Sequence, residues 1–170
     1  MKNSVLAQLS KEPGLLTLKG IRYMLIRPDT IIDFQKAVEA AVGQERCAEM
    51  MMAGGITGGS RSSRKYKRDL GHSDVETVQF MCKMGGELGW GIFQLVLLDM
   101  ESGRLVIEVT DSPFAVAYGQ SDVSVCHMMR GVLAGLGSSI FKGEVLSSET
   151  TCLAKGDMRC RFEITRCKKW

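Results

Sequence analysis

Apolar and polar positions alternate most regularly near the end of the chain. Met158, Cys160, Phe162 and Ile164 alternate with Arg159, Arg161, Glu163 and Thr165. A period of two places successive side chains on opposite faces, which predicts a half-buried strand. Gly156-Asp157 marks a turn before it, so 144–154 is expected as the antiparallel partner. Residues 104–110 alternate in the same way, with Leu105, Ile107 and Val109 on one face. They follow the apolar run 91–100 across Glu101-Ser102-Gly103, which reads as a hairpin loop, and Asp111-Ser112-Pro113 ends the pair. A shorter apolar run, 21–26, predicts another strand stopped by Pro28. Residues 1–19 read as an irregular lead-in with a turn at Pro13-Gly14.

Elsewhere the spacing is helical. From about Asp29, the residues Ile31, Phe34, Ala37, Val38, Ala41 and Val42 recur at steps of three and four, and Gly43 follows as a stop. A second helical stretch covers 44–52. A third helix opens at Ser73, where Ser73 and Glu76 fit a capping box, with Val75, Val78, Gln79 and Cys82 along one side. Gly85-Gly86 weakens its end. A last helix from about Asp122 carries Val125, Met128, Met129, Val132, Leu133, Leu136 and Ile140. Gly131 and Gly135, four apart on it, permit close approach of a neighbouring backbone. The segment 53–63 breaks the pattern with four glycines and three serines, and reads as a flexible loop or a broken helix. It matches no phosphate-cradling motif and is too weak a boundary to split the chain. The order of elements predicts one α+β domain over 1–170, with a mostly antiparallel sheet of hairpins packed with helices.

Composition narrows the function classes. The chain has 170 residues, 45% hydrophobic and 24% charged, which suits one globular domain. No run of about 18 apolar residues is present, so no membrane span is expected. Met1-Lys2-Asn3-Ser4 lacks the apolar core of a signal peptide, and the expected location is the cytoplasm. The net charge of +3 is small for a nucleic-acid domain. The one basic cluster, Arg61, Arg64, Lys65, Lys67 and Arg68, reads as a solvated surface stretch ahead of a phosphate, nucleic-acid or protein contact. Two histidines are too few for a His-rich metal site.

Six cysteines, at 47, 82, 126, 152, 160 and 167, suit reduced thiols or a metal better than disulfides. With a three-residue loop, Cys152 would fall opposite Cys160, with Cβ atoms about 4.5–5.5 Å apart. Two thiols that close suit a zinc ion, a disulfide, or simply two small core residues, and spacing alone leaves the three open. Cys126 opens a predicted helix, whose positive end favours a thiolate. Glu149 is a further candidate ligand. It lies three positions before Cys152, so a regular strand would turn it to the other face unless the strand bulges.

Two stretches together carry a resemblance. They are Val125-Cys126-His127-Met128-Met129-Arg130-Gly131 and Glu149-Thr150-Thr151-Cys152-Leu153-Ala154-Lys155-Gly156-Asp157-Met158-Arg159-Cys160-Arg161-Phe162. This pattern, a cysteine opening a Gly-containing helix and then Glu-x-x-Cys-x-Ala-x-Gly-Asp-x-x-Cys-x-Phe, resembles the 4-vinyl reductase domain family. The resemblance rests on 122–166. It implies that Cys126, Glu149, Cys152 and Cys160 bind zinc, and that the strand bulges near 147–151. Cys47, Cys82 and Cys167 match no motif position and are expected to be core or surface thiols.

The resemblance also implies a fold shared with vesicle-tethering TRAPP subunits and haem-containing nitric-oxide sensors. Family members include sensory domains that bind phenols or toluene-like effectors beside the zinc, and stand-alone hydrocarbon-binding proteins. Another branch is linked to bacteriochlorophyll synthesis, and dimers are common. The expected function is therefore a zinc-containing domain that binds or senses a small apolar or aromatic molecule, with a homodimer and a regulatory protein as partners. Four protein ligands leave no open position on zinc, which argues for a structural metal and against an enzyme. A reductase or accessory role in tetrapyrrole vinyl metabolism and a tethering or scaffold role are the alternatives. No DNA-reading helix-turn-helix is recognisable, so direct nucleic-acid binding is not expected. Trp90, Phe93, Phe114, Tyr118 and His127 are the candidate pocket residues. Lys155, Arg159 and Arg161 lie near enough in sequence to offset the ligand charge, but strand parity points them outward.

Overall fold

The computed structural model describes Ser4 and residues 6–167; Met1, Lys2 and Asn3 of the expected leaderless start lie outside them. The chain opens with a 3-10 turn, Leu6–Gln8, and a small antiparallel sheet of β1 (Leu9–Glu12), β2 (Leu15–Leu18) and β3 (Ile21–Tyr23). The expected irregular lead-in thus holds two strands. They are too short to show a period, although the Pro13-Gly14 turn between them is where it was expected, with Gly14 at φ 73°. The expected strand 21–26 ends early at Tyr23, because its partner β2 begins to pair there, at Leu16. Residues 24–27 continue as exposed chain.

Three helices follow: α1 (Pro28–Val42), α2 (Gln44–Leu70) and α3 (Asp74–Glu87). Then come β4 (Ile92–Asp99), β5 (Arg104–Thr110), the short helix α4 (Pro113–Tyr118), α5 (His127–Phe141), β6 (Val145–Thr151), a 3-10 turn Leu153–Lys155, and β7 (Cys160–Arg166). The second sheet is antiparallel in the order β4-β5-β7-β6. Helices packed on antiparallel hairpins confirm the α+β class.

The sheet's inner face follows the alternation of the sequence. Leu105, Ile107 and Val109 are fully buried and oppose Ile164, Phe162 and Cys160 across the β5–β7 ladder. Met129, Leu133, Leu136 and Ile140 of α5 and Val78 and Met81 of α3 complete this core. The capping box at Ser73 and Glu76 is formed in both directions. On α3 the buried side is Thr77, Val78, Met81, Cys82 and Met84, whereas Val75, expected inward, is exposed. The last helix begins at His127, five residues later than expected, and Met158 stands outside its strand, 84% exposed.

The largest departure lies at 53–63. Instead of a loop, these residues form the middle of the 27-residue helix α2. Glycine costs about 1 kcal/mol per residue in a helix relative to alanine, so local propensity alone argues against this. The cause is packing against α5. A Cβ on Gly55 would collide with the Met128 carbonyl oxygen, and one on Gly59 with that of Val132. Reciprocally, a Cβ on Gly131 would meet the carbonyl oxygen of Met52, and one on Gly135 that of Ile56. The two helices pack backbone to backbone, and the Ser60 hydroxyl donates to the Gly135 carbonyl at 3.2 Å. The close approach expected at Gly131 and Gly135 is therefore present, and α2 is its partner.

Helix α1 has the expected extent but a rotated face. Ile32 and Gln35 are buried, while Phe34 is 61% exposed and Val42 46%. Gln35 turns inward because it has polar partners there. Its amide donates to the Val125 carbonyl at 3.2 Å and to Glu39 at 2.9 Å, and the Cys47 thiol donates to its carbonyl. The basic cluster ends α2 as a solvated stretch in which Lys65 and Arg68 pair with Asp69, and Lys67 with Asp74.

Candidate metal centre

Four side chains from distant positions meet beneath the inner face of the sheet. Cys126 ends the loop before α5 and is its N-cap residue. Glu149 lies on β6, Cys152 just after it, and Cys160 opens β7. Their ligand atoms all lie within 4.8 Å of one another. The Cys126 and Cys160 sulfurs are 3.7 Å apart. All four residues are buried, the cysteines at 0–1% exposure and Glu149 at 9%.

A bulge makes the arrangement possible. Glu149 pairs with Phe162, but Thr151 pairs with Arg161, so Thr150 is an extra residue on β6. Such an insertion reverses side-chain parity beyond it. Glu149 and Cys152, three apart, therefore share the inner face, which removes the parity objection. Cys152 is not directly opposite Cys160 as the three-residue loop required. It leaves the ladder and leads the 3-10 turn Leu153–Lys155. That turn closes on itself: the Lys155 N–H donates to the Cys152 carbonyl at 2.9 Å, and the Asp157 carboxylate accepts from the Cys152 N–H at 2.8 Å. Gly156 reverses the chain at φ 89°, a backbone conformation that favours glycine.

Each ligand also has a fixed donor. The Cys126 N–H donates to one carboxylate oxygen of Glu149 at 3.0 Å, and the Leu153 N–H donates to the Cys160 sulfur at 3.4 Å. The Ser112 hydroxyl lies 3.5 Å from the Cys126 sulfur. The other Glu149 oxygen, Oε1, is buried without a protein partner. An unpaired buried carboxylate oxygen costs free energy unless something cationic or protic faces it. Arg159 and Arg161 do not supply that charge, because both donate to Glu108 at 2.7 Å on the opposite face, as their parity predicted. Lys155 is exposed.

The cluster's ionisation reflects this crowding. Burial, reinforced by Cys152, pushes the Glu149 carboxyl up to about 8. Hydrogen bonds from Cys126 and then Cys160 hold the Cys152 thiol far below the usual thiol range, while hydrogen bonding to Cys152 and Cys160 drives Cys126 well above it. Three soft sulfur donors and one carboxylate oxygen, within reach of a single ion and shut off from water, fit a tetrahedral thiolate-binding metal. Of the remaining thiols, Cys47 and Cys82 are buried and Cys167 is partly exposed. Burial pushes the Cys82 thiol up to about 12.

The five candidate pocket residues are not gathered into one wall. Trp90 and Phe114 meet edge to face at 5.2 Å. The Phe93 ring fills the space beside Gly85. Tyr118 donates to Glu39 of α1 at 2.8 Å, beneath the Lys36 ammonium. His127 is buried beside the cysteine cluster, its Nδ1 without a protein partner. Burial, and then the nearby Arg130, lowers its pKa. Two open surface clefts flank α4 instead. One, of about 590 Å³, is bordered by Arg27, Asp29, Ile92, Asp111, Pro113 and Val116. The other, of about 420 Å³, lies between Ala115, Val116 and Gly119 on one side and Leu153, Ala154 and Lys155 on the other. None of the five lines either cleft. Both α4 and Ser112 escaped the sequence reading. Ser112 followed by Pro113 was the signal, since serine at the N-cap and proline in the first turn is a helix start.

Among the described residues, no helix is long and apolar enough to cross a membrane. No curated protein sequence matches the chain. Three solved structures share its fold. The phenol-responsive sensory domain of the transcription activator PoxR, crystallised with phenol, superposes with a TM-score of 0.86 at 20% identity, covering 98% of this chain and 88% of that one. A vinyl-4-reductase family protein from Methanocaldococcus jannaschii gives a TM-score of 0.58 at 15% identity, covering 86% and 85%. A trafficking protein particle complex subunit 3 from Naegleria fowleri, covalently bound to palmitic acid, gives 0.56 at 10% identity, covering 83% and 95%. The family model of the 4-vinyl reductase domain matches residues 105–166, the stretch that holds all four clustered ligands. From β5 to β7, the chain carries a 4-vinyl reductase domain.

Proposed function

We propose that this chain is a zinc-stabilised domain that binds a small apolar or aromatic molecule and acts as a sensor or effector-binding unit. The observation that carries the reading is the buried group of Cys126, Glu149, Cys152 and Cys160, with its unpartnered Glu149 oxygen. Zinc suits three thiolates and a carboxylate, and four protein ligands leave it no open position, so its role is structural and not catalytic. It ties the start of α5 to the β6–β7 connection. Similarity to a domain crystallised with phenol supports a small aromatic as the ligand class. The cleft beside the Cys152 turn is of a size that suits such a molecule. The exposed apolar side chains Phe34 and Val42 on α1 support a homodimer.

Native mass spectrometry of protein purified without added metal tests the reading. One zinc per chain is expected, together with binding of phenol added as a probe. A chain with fully reduced thiols and no zinc would overturn the metal assignment. Zinc without binding of phenol or of an apolar analogue such as toluene would favour the tethering or scaffold reading. Turnover of a divinyl tetrapyrrole by the zinc-loaded protein would favour the reductase reading.

A further inference from the structure

Ser112 stands outside the family's ligand pattern, yet it is fully buried against the metal centre. Its hydroxyl lies 3.5 Å from the Cys126 sulfur. The same oxygen accepts from the Ala115 N–H at 3.5 Å, and its carbonyl accepts from the Val116 N–H at 3.0 Å, so Ser112 also starts α4. Helix α4 is the wall that the two surface clefts share, with Val116 lining both. Its far end is held by α1, through Tyr118 to Glu39 and through Lys36 to the Tyr118 carbonyl at 2.9 Å. Beyond it, the Ser121 N–H donates to the Ala154 carbonyl at 2.9 Å, on the turn that Cys152 leads.

A metal-bound thiolate has no proton to give, so the hydrogen of a Ser112–Cys126 bond has to come from serine. The hydroxyl's lone pair then remains free for the Ala115 N–H. One oxygen can thus link a ligand sulfur to the first turn of α4. We propose that Ser112 is a positioning residue whose hydroxyl donates to the Cys126 sulfur and couples occupancy of the metal centre to α4 and its two clefts. This rests on the metal reading above. Outer donors of this kind typically change metal affinity by about 10–100-fold.

Cobalt(II) is the probe, because its sulfur-to-metal charge-transfer band reports the ligand sulfurs. Wild type is compared with Ser112→Ala, Ser112→Gly and Ser112→Thr, each checked for folding by circular dichroism. Glycine removes the donor but remains a tolerable N-cap, and threonine keeps both roles. The alanine and glycine variants are expected to bind cobalt about 10-fold or more weakly and to shift the band, while threonine restores wild-type behaviour. Hydrogen exchange at Ala115 and Val116 should slow on zinc addition in wild type and Ser112→Thr, but not in the other two. If folded Ser112→Ala and Ser112→Gly match wild type in affinity, band and exchange, Ser112 is a helix cap only and the coupling is refuted. If wild type itself takes up neither cobalt nor zinc, the metal reading has failed and this inference fails with it.

Discussion

Two neighbouring glycines of α2 should respond to the same substitution with opposite signs. Gly58 faces open space, and a Cβ added there meets nothing within 4 Å. Gly58→Ala therefore gains only the helix preference of alanine, about 1 kcal/mol. Gly59 gains the same preference but faces α5, where its Cβ would collide with the Val132 carbonyl oxygen and lie 2.8 Å from the Val132 carbonyl carbon. These are backbone atoms of a packed helix and cannot rotate aside. Overpacking in such a place costs about 1–3 kcal/mol, and a backbone obstacle puts it near the upper end. The net effect of Gly59→Ala is then a loss of about 2 kcal/mol. For a domain of this size each kcal/mol moves Tm by about 2–4 °C, so Gly58→Ala should raise it by about that much and Gly59→Ala lower it by about twice as much. Urea unfolding followed by far-ultraviolet circular dichroism, with thermal melts in parallel, measures both. Equal stabilisation by the two variants would refute backbone-to-backbone packing of α2 on α5, and with it the reason given for the helicity of 53–63.

Three further outcomes are expected. Cys160→Ser should bring bound zinc well below one per chain and lower Tm, read by elemental analysis and thermal melts, because metal binding contributes directly to folding free energy. Glu108→Gln should alter the acid limb of stability. Hydrogen bonds from Arg159 and then Arg161 hold the Glu108 carboxyl below its ordinary value of 4.5, so its contribution is full above that value and fades as pH falls through the lowered one. The stability gap between wild type and Glu108→Gln should then be constant near neutrality and close in acid; a gap that widens there would contradict the pairing. Ser73→Ala removes the capping box of α3 and should cost about 1 kcal/mol in urea unfolding, with no change in zinc content.

The candidate site was largely legible in the sequence, and the reasons are local. The Glu-x-x-Cys-x-Ala-x-Gly-Asp-x-x-Cys-x-Phe pattern names three of the clustered residues, and Cys126 before a Gly-containing helix names the fourth. The Gly-Asp pair within it is explained by the turn, where Gly156 takes the positive φ and Asp157 accepts from the Cys152 N–H. Ser112 carries no such pattern, because its tie to Cys126 joins loops fourteen residues apart that only folding brings together.

The same division runs through the fold. Period-two alternation fixed the faces of β5 and β7, and the capping box fixed the start of α3, because both depend on residues within a few positions of one another. Tertiary structure alone decided the rest. Glycines that weaken a helix by themselves became the interior of α2 because α5 offers a backbone surface that only glycine can meet. Gln35 displaced Phe34 from the inner face of α1 because a buried amide with partners at Val125 and Glu39 satisfies polar groups that no apolar side chain could. The extra residue at Thr150 turned Glu149 and Cys152 to the same side. In each case the deciding partner lies far away in sequence, so the preference is a property of the packed chain and not of the segment.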